Sequence, residues 1–276
     1  MVFRTFTHMM QDRLRYNILY SCTGEAKRGH EPFVQEHALG YLISGEMHLH
    51  TEHGMQVFTK GSIGIIRRNQ LVKAIKKPAP DGPFMAINVL LDQKSLRQYA
   101  TEHGTQPTGI YTGPSIVELA NDVFLKGYFD SLLPYFESPD QLTDTLARTK
   151  TTEAIALLLR NPSMYNLLFD FNDPFKIDLE AYMTRNFMHN ASMAQFAHLT
   201  GRSLSTFKRE FARIFNTPPE KWLLKRRLQQ AHYLITQQKQ RPSDIYMDVG
   251  FENLSHFTTA FKKEFGQSAS NLLPGK

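Results

Sequence analysis

Ser203-Leu204-Ser205-Thr206-Phe207-Lys208-Arg209-Glu210-Phe211 and Asn253-Leu254-Ser255-His256-Phe257-Thr258-Thr259-Ala260-Phe261 are one pattern written twice, offset by 50 positions. Phe215 and Asn216 follow the first copy, Phe265 and Gly266 the second, and a glycine precedes each, Gly201 or Gly250. An internal repeat exposes the building unit of a fold. Ser203 and Asn253 are suited to cap a helix, because a short polar side chain accepts a bond from an orphan backbone N–H. At helical pitch Leu204, Phe207, Phe211 and Phe215 fall on one stripe, three and four apart. The opposite face carries Ser205, Thr206, Arg209 and Arg213, and its counterpart carries Ser255, His256, Thr259 and Lys263, with Lys208 on the flank of the first helix.

The residues before each copy complete a two-helix unit. Ser192-Met193-Ala194-Gln195 reads as a capping box opening a short helix that runs through Phe196, Ala197 and Leu199. Gly201 then ends it as a left-handed residue. The counterpart begins near Pro242-Ser243-Asp244-Ile245 and stops at Gly250. Two short helices joined by a tight glycine turn form a helix-turn-helix. Either unit alone also reads as two packing helices of an ordinary α domain. Duplication with polar and basic groups kept outward favours a surface laid in a major groove, where hydroxyls, imidazole and guanidinium reach base edges.

Charge is distributed in the same way. Residues 175–276 hold 15 Lys+Arg against 8 Asp+Glu, whereas residues 1–174 hold 17 against 18. The chain's net +6 therefore belongs to its C-terminal part. A basic excess confined to the domain that carries the repeat is an electrostatic footprint for phosphate.

Over residues 175–273 the sequence resembles the AraC/XylS family of bacterial transcription regulators. The first repeat carries the likeness. So do Pro218-Pro219-Glu220-Lys221-Trp222-Leu223, Lys225-Arg226-Arg227-Leu228-Gln229-Gln230-Ala231 and Gly250-Phe251-Glu252-Asn253. The resemblance implies a long connecting helix with two helix-turn-helix units that enter successive major grooves of double-stranded DNA. By position it implies base reading by Ser205, Lys208 and Arg209 in the first unit and by Ser255, His256 and Thr259 in the second. Arg213 and Lys263 are candidates for phosphate contact. Lys225, Arg226 and Arg227 are candidates for phosphate contact or for stems laid over the domain core. The chain departs from the family's pattern at Tyr246, where a small alanine is usual, and at Ala269, where proline is frequent. Tyr246 puts the docking angle of the second unit in question.

The remaining length calls for another domain, since domains usually run ~100–200 residues. A single cysteine, Cys22, excludes an intramolecular disulfide and fits a reducing cytosol. No apolar signal segment opens the chain. The longest clean apolar run, Ala154 to Leu159, is far short of the ~20 residues of a membrane span. A cytoplasmic, nucleoid-associated protein is therefore expected. Tyr41-Leu42-Ile43, Met47-His48-Leu49-His50, Met55-Gln56-Val57-Phe58, Ile63-Gly64-Ile65-Ile66 and the run from Phe84 to Leu90 read as strands. Turn signals at Ser44-Gly45, His53-Gly54 and Lys60-Gly61 separate the first four, which suggests an antiparallel sandwich or barrel.

The fold class expected is α+β. Residues 1–114 form an antiparallel β barrel or sandwich, cupin-like by resemblance. Residues 115–174 form a helical linker that caps the barrel or pairs with a second protomer, and residues 175–276 form an all-α domain with two helix-turn-helix units. In the linker Ile116, Leu119, Val123 and Phe124 follow helical spacing, as do Leu142 and Leu146 and then Ile155, Leu158 and Leu159. Pro134, Pro139 and Pro162 break it into helices, and Asn172-Asp173-Pro174 marks a boundary.

His48-x-His50 places two imidazoles on one face of a strand. With Tyr41 they are candidates for an effector pocket. A metal would want three or four placed ligands. Glu52 and His53 fall in the expected turn and no later strand offers an obvious histidine, so no metal and no cofactor are expected. Nor is there a Gly-rich phosphate loop or a nucleophile with a base, so an enzyme is not expected. The partners expected are DNA, RNA polymerase, a second copy of the chain and an unknown small-molecule or protein effector. A cupin-type metalloenzyme with a nucleic-acid-binding appendage is the alternative, and an architectural DNA-binding protein without effector is a third reading. The resemblance makes activation of transcription the commoner outcome.

Overall fold

The computed structural model describes residues 12–51, 54–105, 109–119, 122–172, 174 and 176–273. Two antiparallel sheets come first. Their strands are β1 (Arg13–Arg15), β2 (Ile18–Thr23), β3 (Lys27–Val34), β4 (His37–Ser44), β5 (Glu46–Thr51), β6 (Gly54–Thr59), β7 (Ile63–Ile66), β8 (Gln70–Lys77) and β9 (Phe84–Leu91). Helix α1 (Gln93–His103) follows, and then β10 (Ile116–Leu119). One sheet has the order β1-β2-β9-β4-β7-β10, the other β3-β8-β5-β6.

The apolar pattern explains the layering. Leu42, Phe84, Ala86 and Ile116 of the first sheet pack against Leu49, Phe58, Val72 and Ala74 of the second. The other face of the first sheet is also covered. There Ile18, Leu39, Ile65, Ile87 and Val89 share a core with α2 (Val123–Glu137), α3 (Asp144–Leu158) and α4 (Ser163–Leu168). A strand buried on both faces reads as a near-continuous apolar run, and β9 is the run Phe84 to Leu91.

Four expectations need correction. Ile116–Leu119 is a strand, paired antiparallel with β7 from Ile116↔Ile66 to Leu119↔Ile63, so the sheet runs past the expected boundary at 114. Apolar residues three apart fit a helix as well as a short strand, and the deciding partner lies some fifty positions upstream. Val123 and Phe124 are exposed, and α2 instead buries Leu125, Tyr128, Phe129, Leu132 and Phe136. Pro134 lies inside α2 rather than breaking it. An interior proline costs ~3 kcal/mol, and burial of Leu132 and Phe136 on either side offsets that. Strands β1, β2, β3 and β8 and helix α1 had no clear signature. Of the expected boundary Asn172-Asp173-Pro174, Asp173 lies outside the described residues.

The C-terminal part is all helical: α5 (Leu179–Asn186), α6 (Met193–Leu199), α7 (Leu204–Phe215), α8 (Pro219–Thr236), α9 (Pro242–Ile245) and α10 (Leu254–Phe265). It has two cores. Met183, Phe196, Phe207, Phe211 and Leu223 form the first, and Leu228, Ile235, Ile245, Val249, Phe257 and Phe261 the second. Helix α8 is a wall of both. It opens with Pro219 at its first turn, where a missing N–H costs nothing.

The β domain touches the first half of this helical part through Phe33 of β3, whose ring meets His198 edge-on at 6.1 Å, and both halves through a short segment before and within β8. Arg68 donates to the backbone carbonyls of Asp170 and Asn172. His198 Nε2 of α6 lies 3.0 Å from Asn69 Oδ1. Leu71 belongs to the first helical core. Lys73 forms an ion pair with Asp248, in the turn after α9.

Candidate nucleic-acid interface

The first unit is built as its caps dictate. Gln195 N donates to Ser192 Oγ at 3.2 Å and Ser192 N to Gln195 Oε1 at 2.7 Å, a closed capping box at the start of α6. Gly201 has φ 67°, the left-handed turn that separates α6 from α7. Ser203 Oγ accepts from Thr206 N and also bonds the Thr206 hydroxyl at 3.0 Å. Phe207 and Phe211 are fully buried, and Phe211 packs against Phe215 at 4.3 Å and Trp222 at 5.5 Å between ring centroids. Leu204, the first residue of α7, leaves the expected stripe: it is 42% exposed.

The outer face of α7 presents Ser205, Lys208, Arg209 and Arg213, all exposed. They are not equally available. Lys208 Nζ pairs with Glu220 Oε1 at 2.6 Å, at the start of α8. Among the described residues nothing engages the Arg209 guanidinium. Glu210, on the flank, pairs with Lys176 at 2.8 Å and Arg202 at 2.9 Å. Its bonds to those two cations hold the carboxyl down to about 2. The one acidic group on this helix is thereby neutralised.

The second unit repeats the geometry with a weaker first helix. Helix α9 spans only four residues and continues as turns to Gly250, φ 94°. Asn253 Oδ1 accepts from His256 N at 2.7 Å and starts α10. Phe257 and Phe261 are buried, and Leu254 is exposed, as Leu204 is. Ser255, His256, Thr259 and Lys263 are exposed, and the His256 ring meets Phe251 edge-on at 5.5 Å. Tyr246 is accommodated on the rim of the second core, and Ala269 is buried beneath the terminal 3-10 turn.

Three adjacent cations on α8 divide. Lys225 is exposed, and Arg226 is exposed with its guanidinium 5.4 Å over the Phe187 ring. Arg227 contradicts the expectation of a phosphate contact. Its guanidinium turns inward and donates to the carbonyls of Phe187, His189 and Gly250. Burial lowers its pKa to about 10, which leaves it charged at neutral pH.

The expected effector pocket is not assembled either. Between the sheets lies a small cavity of about 60 Å³, lined by Gly40, Leu42, Met47, Leu49, Phe58 and Asn88 among others. Because strand residues alternate faces, Met47 and Leu49 point into it and His48 and His50 point away. His48 Nε2 instead pairs with Glu46 Oε2 at 2.8 Å. His50 lies towards Lys73 and Asp248, and its pKa is lowered by burial and by Lys73. Tyr41 borders the cavity, but its ring stacks on Phe129 of α2 at 5.2 Å, on the helix side of the sheet. Glu52 and His53 lie outside the described residues. Among the described residues no cluster of His, Cys, Asp or Glu is placed to hold a metal ion. No helix among them is long and apolar enough to cross a membrane.

Sequence reasoning missed Asn69, Lys73, His198 and Asp248, which join the domains, and the inward role of Arg227. Only the pairing of Lys208 with Glu220 had a local signal, a cation near a helix start that carries a carboxylate.

Two family models match the chain. A helix-turn-helix domain model matches residues 196–273, and a model described as the ExsA N-terminal regulatory domain matches residues 37–169. The chain is similar to the HTH-type transcriptional regulator ExsA of Pseudomonas aeruginosa, 23% identical over 88% of this chain and 87% of that one. It is also similar to the virulence regulon transcriptional activator VirF of Yersinia enterocolitica, 33% identical over 33% of this chain and 34% of that one. Among solved structures, apo ToxT K231A from Vibrio cholerae aligns over 95% of this chain and 97% of that one, at 12% identity and TM-score 0.46.

Proposed function

Because the chain belongs to the AraC/XylS family of transcription regulators, we propose that α7 and α10 enter successive major grooves on one face of a DNA duplex and that the protein activates transcription from the site so read. The observation that carries this is the pair of capped helices with buried aromatic backs and exposed polar fronts, mounted on one shared helix. Ser205, Lys208 and Arg209 read bases in one groove, and Ser255, His256 and Thr259 in the next. To serve this, Lys208 exchanges Glu220 for DNA. Arg213, Lys225, Arg226 and Lys263 meet phosphates. The relatives' printed names, which include activators, support activation over repression.

The rest of the assembly is proposed on the same footing. The protein works in the cytoplasm at the nucleoid, recruits RNA polymerase, and pairs with a second copy through the helical region 123–168. Its β domain responds to an effector. The segment Asn69–Lys73 supports a route for that response, since it touches α6 of one unit and the Asp248 turn of the other.

Selection of duplexes from a random library by the full chain tests the reading. One asymmetric sequence is expected to be enriched, and its affinity is expected to fall linearly on logarithmic axes as salt rises, because neutralised phosphates release counterions. Enrichment of no sequence would leave an architectural role in its place.

A further inference from the structure

Two recognition helices read successive grooves only if the angle between them is held, and a shared helix does not by itself hold it. Helix α8 gives Leu223 to the first core and Leu228, Ala231 and Ile235 to the second. Arg227 stands where the two cores part. Its Nε donates to Phe187 O at 2.8 Å and its Nη2 to His189 O at 2.7 Å, both in the segment after α5. Its Nη1 donates to Gly250 O at 2.9 Å, in the turn of the second unit.

The two halves thus meet backbone to backbone through one planar cation. A guanidinium presents donors in a rigid fork, which an ammonium cannot imitate. The fit is close. A Cβ on Gly250 would lie 2.6 Å from Arg227 Nε and 2.8 Å from Met188 O, and Gly250 has φ +94°. One further bond crosses the same seam, Asn190 Nδ2 to Glu252 Oε1 at 3.0 Å. By contrast, Lys225 and Arg226, the neighbours of Arg227 in sequence, are exposed.

We propose that Arg227 is a positioning residue that sets the distance and angle between the two recognition helices, and so the base-pair spacing the protein accepts between its two contact patches. This rests on the two-groove reading above. Each base pair added between the patches shifts the second by ~3.4 Å along the axis and rotates it by ~34°. A braced pair of units cannot follow such a shift, whereas an unbraced pair swings towards it.

The test uses the full chain and the duplex it selects from a random library, rebuilt with one to three base pairs added or removed between the protected patches. The wild type is expected to lose ~10-fold or more for a change of two base pairs, the size of effect that a wrong base pair has. Arg227→Met is expected to bind the parent duplex more weakly and to vary less than ~3-fold across the series. Arg227→Lys keeps the charge and the buried stem, and the same flattened profile is expected. A second readout needs no DNA: spin labels at Ala212→Cys and Glu264→Cys, both exposed positions, report the separation of α7 and α10. Their distance distribution should be narrow in the wild type and broadened in both Arg227 variants. A folded variant at Arg227 that keeps the wild-type spacing profile and a narrow distribution overturns the proposal. A wild type that protects only one patch would sink the two-groove reading instead, and the label distances would then decide the role of Arg227 alone.

Discussion

At the scale of single residues, Arg209 and Lys225 are both exposed cations, yet the two-groove proposal gives them different work. Arg209 sits mid-face on α7, where a guanidinium reaches a guanine bidentately. Arg209→Ala is expected to cost ~1–3 kcal/mol at the selected site and to relax preference at one base pair, while Lys225→Ala weakens all sequences alike. Equal losses on specific and random duplexes for Arg209→Ala would make it a phosphate contact. Phe211→Ala is the control for folding: it empties a fully buried site and is expected to cost ~3–5 kcal/mol of domain stability. The exposure of Arg209 and Lys225 and the burial of Phe211 were legible because period alone separates the front of a helix from its back. Arg227 was not, since three consecutive cations look alike until one is found among backbone carbonyls. His37 was equally silent. It is buried, accepts from Arg68 N, and burial together with Arg68 and Arg67 pushes its pKa down to about 3. Unfolded, it titrates near ~6.5. The folded state therefore binds fewer protons, and the stability this gives is complete above pH ~6.5 and is lost as pH falls towards 3. Denaturant midpoints at pH 7, 6 and 5 should show His37→Gln with a shallower acid slope, by up to ~1.4 kcal/mol per pH unit. An unchanged slope would show that His37 is not the group that protonates.

At the scale of elements, the proposed footprint follows from α8. It is continuous from Pro219 to Thr236, as the stretch between the repeats suggested, and its 18 residues span ~27 Å at 1.5 Å per residue. With a recognition helix packed beside each end, that length approaches the ~34 Å of one DNA turn. Hydroxyl-radical cleavage around bound protein is expected to spare two patches on one face of the duplex, about one turn apart. A single short patch from folded protein would mean that only one unit engages, and the four-residue α9 marks the second unit as the one to suspect. The C-terminal helices were the legible ones because caps, glycine stops and the aromatic period agree locally. The strands were legible only where turns bracket them. Residues 70–77, Gln70-Leu71-Val72-Lys73-Ala74-Ile75-Lys76-Lys77, alternate imperfectly because both faces of β8 are used. Val72, Ala74 and the buried Lys76 face the other sheet, while Leu71 and Lys73 face the DNA-binding helices. Ile116–Leu119 was misread for a related reason, that a four-residue edge strand is defined by its partner and not by its own pattern.

At the scale of the whole molecule, the question is what the β domain does to the helices it touches. The basic excess lies wholly within 175–276, and so do both cores of that part apart from Leu71 and the partly buried Phe33. That fragment is expected to fold alone and to bind the selected duplex with the same salt dependence as the full chain, because every proposed phosphate contact is present in both. Affinity itself is expected to differ, since in the full chain Asn69, Leu71 and Lys73 hold both units against the β sheets. The Lys73–Asp248 pair is partly exposed and contributes ~1 kcal/mol at most. The effect therefore comes from tying two units to one strand rather than from the pair alone. An Asn69→Ala/Lys73→Ala double variant of the full chain releases the polar ties and leaves Leu71 in place. Its affinity is expected to move from the full-chain value towards that of the fragment, with the salt slope unchanged. Hydrogen exchange should rise around His198 and around Asp248 in the same variant, because each loses one polar tie across the boundary. If the variant keeps full-chain affinity and protection, or if fragment and full chain bind alike, the segment from Asn69 to Lys73 is a structural seam and effector signals reach the DNA by another route.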